Sequence, residues 1–145
     1  SVLHVVGLEA ALEWLADEFQ RLHGLQTEVL DDGQAKPLGE DTRSLLFRSA
    51  RELLYNVVKH AGTNRAQVRV ERRDGAILLH VRDEGNGFDA AGVDQVDESE
   101  AEGSSLGLFS VRERMDSLGG RLEVWSEPGK GTCCTLSVPL SACRS

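Results

Sequence analysis

The 145-residue chain is 40% hydrophobic and 28% charged, an ordinary balance for one folded domain with a single core. Its net charge of −8 argues against nucleic acid as the main partner, because phosphate backbones demand a basic footprint. No apolar run approaches the roughly 20 residues that span a bilayer, and the start lacks the basic, apolar, small-residue order of a signal peptide.

The chain opens almost at once on an amphipathic pattern, as a fragment of a longer protein would. Leu8, Leu12, Leu15, Phe19 and Leu22 recur at steps of four and three, which predicts a helix over about 7–23 ending near Gly24. Gln26–Leu30 reads as a short strand closed by Asp31-Asp32-Gly33, and Lys36–Glu40 as a loop. Asp41 or Thr42 is the expected cap of a second helix that runs to Gly62. At 100° per residue its apolar arc holds Leu46, Phe47, Ala50, Leu53, Leu54, Val57 and Val58. Glu52, Asn56 and Lys59 cluster opposite, with His60 at the edge and Leu45 out of place.

A hairpin follows. Val68 and Val70 alternate with charged residues, Asp74-Gly75 is a two-residue turn signal, and Ile77, Leu79 and Val81 alternate on the return. Residues 89–103 are acidic and poor in apolar groups, the composition of a mobile loop. Leu106–Leu118 resumes helical spacing. A second hairpin pairs Leu122 and Val124 with Cys134, Leu136 and Val138 across a Pro128–Gly131 turn. Hairpins without repeated strand–helix crossovers predict an α+β fold: one mixed, mostly antiparallel sheet with about three helices on one face. Residues 1–145 form a single domain.

Four stretches carry possible chemistry, and each has a plainer reading. The polar face of RELLYNVVKHAG can point a carboxylate, an amide and a cation into a cavity, or can simply be solvated. Asp83 ends a buried-type strand and is an acceptor suited to an exocyclic amine, with Gly85 and Gly87 letting a flat ring approach the backbone; D-x-G-x-G is also an ordinary turn. Gly103-Ser104-Ser105-Leu106-Gly107-Leu108 enters a helix whose amides suit phosphate, or is a flexible loop with a serine cap. Gly129-Lys130-Gly131-Thr132 is a hairpin turn first. Arg112 and Arg114 read as a solvated helical face, His80 as a strand residue, and Trp14 and Trp125 as packing groups. The three cysteines lack zinc-like spacing and fit reduced thiols in the cytosol, with Cys133 and Cys134 on opposite faces of the last strand.

In order and spacing, these stretches resemble the ATP-binding domain of sensor histidine kinases, the Bergerat fold shared with gyrase, MutL-type and heat-shock chaperone ATPases. RELLYNVVKHAG resembles the asparagine box, DEGNGF the first glycine box, SSLGLFSVRER the second and EPGKGT the third. The likeness covers roughly Leu45–Leu140. LEWLADEFQRLHG and the N-x-x-K-H-A wording are similar to the kinase group whose partner regulators carry helix-turn-helix outputs.

The resemblance implies a two-layer α/β sandwich and roles at matching positions. Asn56 would bind Mg2+, and Glu52 would orient or deprotonate the attacking group. Lys59 and His60 would lie near the phosphates of ATP, as would Ser105, Leu106, Gly107 and Leu108 where the second box meets its helix. Asp83 would accept from the adenine amine, with Thr132 beside it and Gly85 and Gly87 against the ring. Residues 88–106 would form a lid. Ser105 replaces the first glycine of the usual G-x-G-L, and at positive φ a serine costs on the order of 1 kcal/mol. The acidic lid would repel triphosphate unless Mg2+ and Lys59 offset it.

None of His4, His23, His60 and His80 is followed by the acidic residue that marks a phosphoacceptor in this group. The implied function is donation of the γ-phosphoryl group to a histidine on a separate dimerisation domain, absent from this chain, with a response regulator downstream. Self-phosphorylation, direct nucleic-acid binding and membrane contact are not expected. The implied location is cytoplasmic, with a parent protein that can be membrane-bound. The alternatives are an ATP-hydrolysing relative using Glu52, and a non-catalytic nucleotide-sensing module.

Overall fold

The computed structural model describes residues 2–88 and 108–140, with side chains from residue 7 onward. The expected lid beyond Phe88, with Ser105, Leu106 and Gly107, lies outside the described residues, as does Cys143.

The first helix, α1, spans Val2–His23 and is broken at Gly7, whose φ of 76° no α-helix contains. From there Leu8, Leu12, Leu15 and Phe19 turn into the core at the spacing that marks one helical face. Leu22, expected in the same stripe, is instead 59% exposed, while His23 after it packs against Tyr55. Gly24 closes the helix in the left-handed region, and β1 (Gln26–Asp31) follows. Lys36 then staples the next loop. Its ammonium bonds Asp31 at 2.6 Å, Asp32 at 2.5 Å and the Gln34 carbonyl at 2.9 Å.

Helix α2 spans Glu40–Asn56. Its N-cap is Gly39 rather than Asp41 or Thr42. Gly39 offers its carbonyl to the Arg43 amide at 3.0 Å, and Glu40 and Asp41 sit in the first turn, where carboxylates favour the helix dipole. Thr42 is buried instead of capping. The helix continues as a π-helical turn, Val57–Ala61, and Gly62 ends it at φ 70°.

Strands β2 (Arg65–Arg73) and β3 (Ala76–Asp83) form the expected hairpin. Asp74 and Gly75 both have positive φ, the condition of the turn that matches strand twist. After α3 (Leu108–Ser117) come β4 (Arg121–Ser126) and β5 (Thr132–Pro139). The five strands lie in the order β1-β2-β3-β5-β4. β1 runs parallel to β2, with α2 as the crossover, and the other pairs are antiparallel.

Alternation decides the two faces. Val68, Val70, Ile77, Leu79, Val81, Leu136 and Val138 are buried with Leu46, Leu53 and Leu54 of α2 and with Val111 and Met115 of α3. The opposite sheet face is mostly polar, with Leu78 and Trp125 among its apolar members. His80 stands there between Thr135, 2.9 Å away, and Glu71, 3.0 Å away. Three helices thus cover one face of a mixed sheet. Neither tryptophan is a core residue: Trp14 rests against Phe47 at the edge of the helical layer, and Trp125 stands on the open face, each about half exposed.

Candidate functional site

A cavity of about 230 Å³ opens between the end of α2 and the sheet. Helix residues Leu53, Asn56, Val57 and His60 form one wall, and Val81, Asp83, Thr132 and Cys134 form the floor. Gly87, Phe88 and Leu108 complete the rim. A larger, more open groove of about 780 Å³ lies at the sheet end, shares Asp83 with the first, and is lined mainly by polar residues such as Gln26, Glu28, Arg65 and Arg82. The smaller cavity is the better candidate, since ligand sites combine apolar walls with a few fixed polar groups.

Asp83 is the fixed polar group. Its register partner is Thr132, so the two side chains emerge side by side at the cavity floor. Asp83 is 8% exposed, and its Oδ1 accepts from the Gly85 amide at 2.9 Å. Burial raises its pKa above the ordinary value, and the Gly85 hydrogen bond opposes that rise. Burial also pushes the Cys134 thiol up to about 12, so it stays protonated and acts as apolar wall.

The loop after Asp83 is clamped from both sides by backbone. Asn86 donates its amide to the Ala61 carbonyl at 2.6 Å and accepts from the Gly129 amide at 2.6 Å. A Cβ at Gly85 would overlap the Ala61 carbonyl oxygen, and one at Gly87 the Glu127 carbonyl oxygen. These glycines serve the approach of chain to chain. Gly85 does not line the cavity, whereas Gly87 does.

Ser126 ties the same parts together. Its hydroxyl lies 2.8 Å from the Phe88 amide, 2.9 Å from the Gly131 carbonyl and 2.8 Å from Thr132 Oγ1. With one proton, Ser126 donates to Gly131, so Thr132 donates to Ser126. Thr132 therefore presents acceptor lone pairs to the cavity.

Of the residues expected to act, the fold brings Asn56, His60, Asp83, Gly87, Leu108 and Thr132 to one cavity. Glu52 and Lys59 are not among its walls. Lys59 stands over the Tyr55 ring, 5.2 Å from its centroid. Glu52 bonds Arg114 of α3 at 2.5 Å, so Arg114 is no solvated bystander. The sequence marks Cys134 only as a strand residue and Phe88 only as the start of the lid, yet both line the cavity, and it does not single out Ser126 at all. Ser126 had a legible signal, since it continues the inward phase of Leu122 and Val124 and is buried.

The chain matches the family model described as histidine kinase-, DNA gyrase B-, and HSP90-like ATPase over residues 41–142. It is 35% identical over 144 residues to an uncharacterized sensor-like histidine kinase of Chloroflexus aurantiacus, covering 97% of this chain and 24% of that protein. It is 26% identical over 141 residues to the oxygen sensor histidine kinase NreB of Staphylococcus carnosus, covering 97% and 39%. It thus spans well under half the length of these curated relatives. Among solved structures, the Erythrobacter litoralis blue-light activated histidine kinase superposes with a TM-score of 0.74 at 24% identity, covering 92% of this chain and 42% of the other. The Acinetobacter baumannii histidine kinase AdeS gives 0.68 at 18% identity, covering 90% and 64%. These likenesses carry the fold.

Proposed function

We infer the function from one premise: the chain belongs to the family of histidine kinase-, DNA gyrase B-, and HSP90-like ATPases. On that premise it binds Mg-ATP and donates the γ-phosphoryl group to a histidine on a separate dimerisation domain of a sensor kinase, which then passes it to a response regulator. The observation that carries this reading is a buried carboxylate, Asp83, at the floor of an otherwise largely apolar cavity. An acceptor in an apolar slot suits the amine edge of adenine. The cavity is smaller than the roughly 300–1,000 Å³ of drug-sized sites, which fits a base with its phosphates outside.

Each residue has a defined task. Asp83 accepts from the base amine, and Thr132 offers acceptor lone pairs beside it. Val57, Val81 and Phe88 supply apolar contact. Asn56 and His60 stand on the wall toward the phosphates. Among the described residues no group of three His, Cys, Asp or Glu side chains could hold a metal. The amide oxygen of Asn56 on the cavity wall suits Mg2+, which takes oxygen ligands, keeps several waters and is usually shared with substrate phosphates. Asn56 would hold it through its amide oxygen, and the ion would neutralise phosphate charge. Catalysis is then mainly positioning and charge neutralisation. No helix among the described residues is long and apolar enough to cross a membrane, and a cytoplasmic setting supplies the ATP.

Calorimetric titration with Mg-ATP tests the reading. Wild-type chain should bind, and Asp83→Asn should bind at least about tenfold more weakly, the loss of a hydrogen bond to a charged acceptor. Absence of binding by the wild type would remove the proposal. Incorporation of labelled γ-phosphate into this chain alone would remove the separate acceptor.

A further inference from the structure

Glu52 stands one helical turn before Asn56, yet its carboxylate is turned toward α3. Arg114 Nη1 meets Glu52 Oε2 at 2.5 Å, and the side chains are only 22% and 30% exposed. Helix α3 is fixed in the core through Leu108, Val111 and Met115, so Arg114 is carried on a rigid support. A short, charge-assisted bond in a half-buried setting is of the strong kind. It holds the carboxylate against the neighbouring helix while Asn56, four residues on, faces the cavity.

We propose that Arg114 is a positioning residue that parks Glu52 on α3 and so suppresses hydrolysis of the bound nucleotide. This rests on the nucleotide-binding reading above. In the suppressed reaction, a water oxygen forms a bond to the γ-phosphorus while the bond from that phosphorus to its bridging oxygen breaks. ADP leaves with the electron pair. Glu52 takes the proton from the attacking water and returns it to solvent. A parked Glu52 cannot reach that water, so the phosphoryl group is kept for an acceptor that docks.

The test compares Arg114→Met, Arg114→Lys and the Arg114→Met/Glu52→Gln pair, each measured for phosphate release and for Mg-ATP affinity. Methionine keeps an apolar stem in place of the arginine chain, and lysine keeps the charge. Arg114→Met should release phosphate about tenfold faster or more, within the range of general-base effects, with nucleotide affinity little changed. The lysine variant should stay close to wild type, and the double variant should return to the wild-type rate. In nucleotide-free protein, Glu52→Gln and Arg114→Met should shift the unfolding midpoint non-additively, as direct partners do. Normal binding by Arg114→Met without faster release would overturn the proposal, as would a rise that survives Glu52→Gln. If the wild type fails to bind Mg-ATP, the nucleotide reading fails and this inference with it.

Discussion

The Phe88 amide donates to Ser126 Oγ at 2.8 Å, which joins the loop after Asp83 to the end of β4. The hydroxyl also serves Gly131 and Thr132, so one buried atom settles the geometry of three segments. Ser126→Ala leaves the Phe88 amide and the Gly131 carbonyl without this partner. The expected cost is about 1–3 kcal/mol of stability, with weaker Mg-ATP binding. Urea denaturation and calorimetry check both. An unchanged urea midpoint would show that water replaces the hydroxyl.

Asp83 sets stability against binding. Its folded-state pKa lies above the unfolded value, so the folded state holds the proton more tightly than the unfolded chain. The contribution of this group is most favourable below the unfolded pKa of 3.8 and is lost as pH rises through the raised folded value. Asp83→Asn keeps an oxygen for the Gly85 amide and removes the buried charge. At neutral pH the variant should melt at or above the wild-type temperature while losing nucleotide affinity. The thermal gain should shrink as pH falls toward the carboxyl range. A clear drop in melting temperature at pH 7 would contradict this.

Two glycines separate sterics from backbone freedom. Gly75 has φ 78° and open space where a Cβ would stand, so Gly75→Ala should cost only about 1 kcal/mol. Gly85 lacks positive φ, but its Cβ would overlap Ala61 backbone. Gly85→Ala should cost about 1–3 kcal/mol or more and deform the cavity. Chemical denaturation of the two variants side by side decides the ranking.

Ser49 is fully buried in α2, and its hydroxyl has no hydrogen-bond partner among the described residues. Ser49→Ala removes an unsatisfied group and improves helix propensity. A gain of up to about 1 kcal/mol is expected, with nucleotide affinity unchanged. Destabilisation would reveal a hydration role for Ser49.

Periodicity made much of the fold legible. The helix beginning near Gly7 and the Asp74-Gly75 hairpin follow from spacing and turn chemistry, whereas Thr132 beside Asp83 is implied only by the family resemblance. The wheel of α2 was less reliable past Asn56. Past it the helix becomes a π-helical turn, and Lys59, four residues after Tyr55, stands over that ring and not at the cavity. The Glu52–Arg114 pair joins residues 62 positions apart on two helices, and no local pattern encodes it. Gly39 as cap was hidden because glycine offers only backbone there. The glycines after Asp83 were recognisable as necessary, but their packing against Ala61 and Glu127 required the tertiary structure.

The two backbone bonds of Asn86 make the end of α2 and the β4–β5 turn members of one cooperative unit. Neither segment can open without releasing the peptide they share. Under native conditions the Asn86 and Gly129 amides should therefore exchange with solvent deuterium through a common opening, at the same free energy.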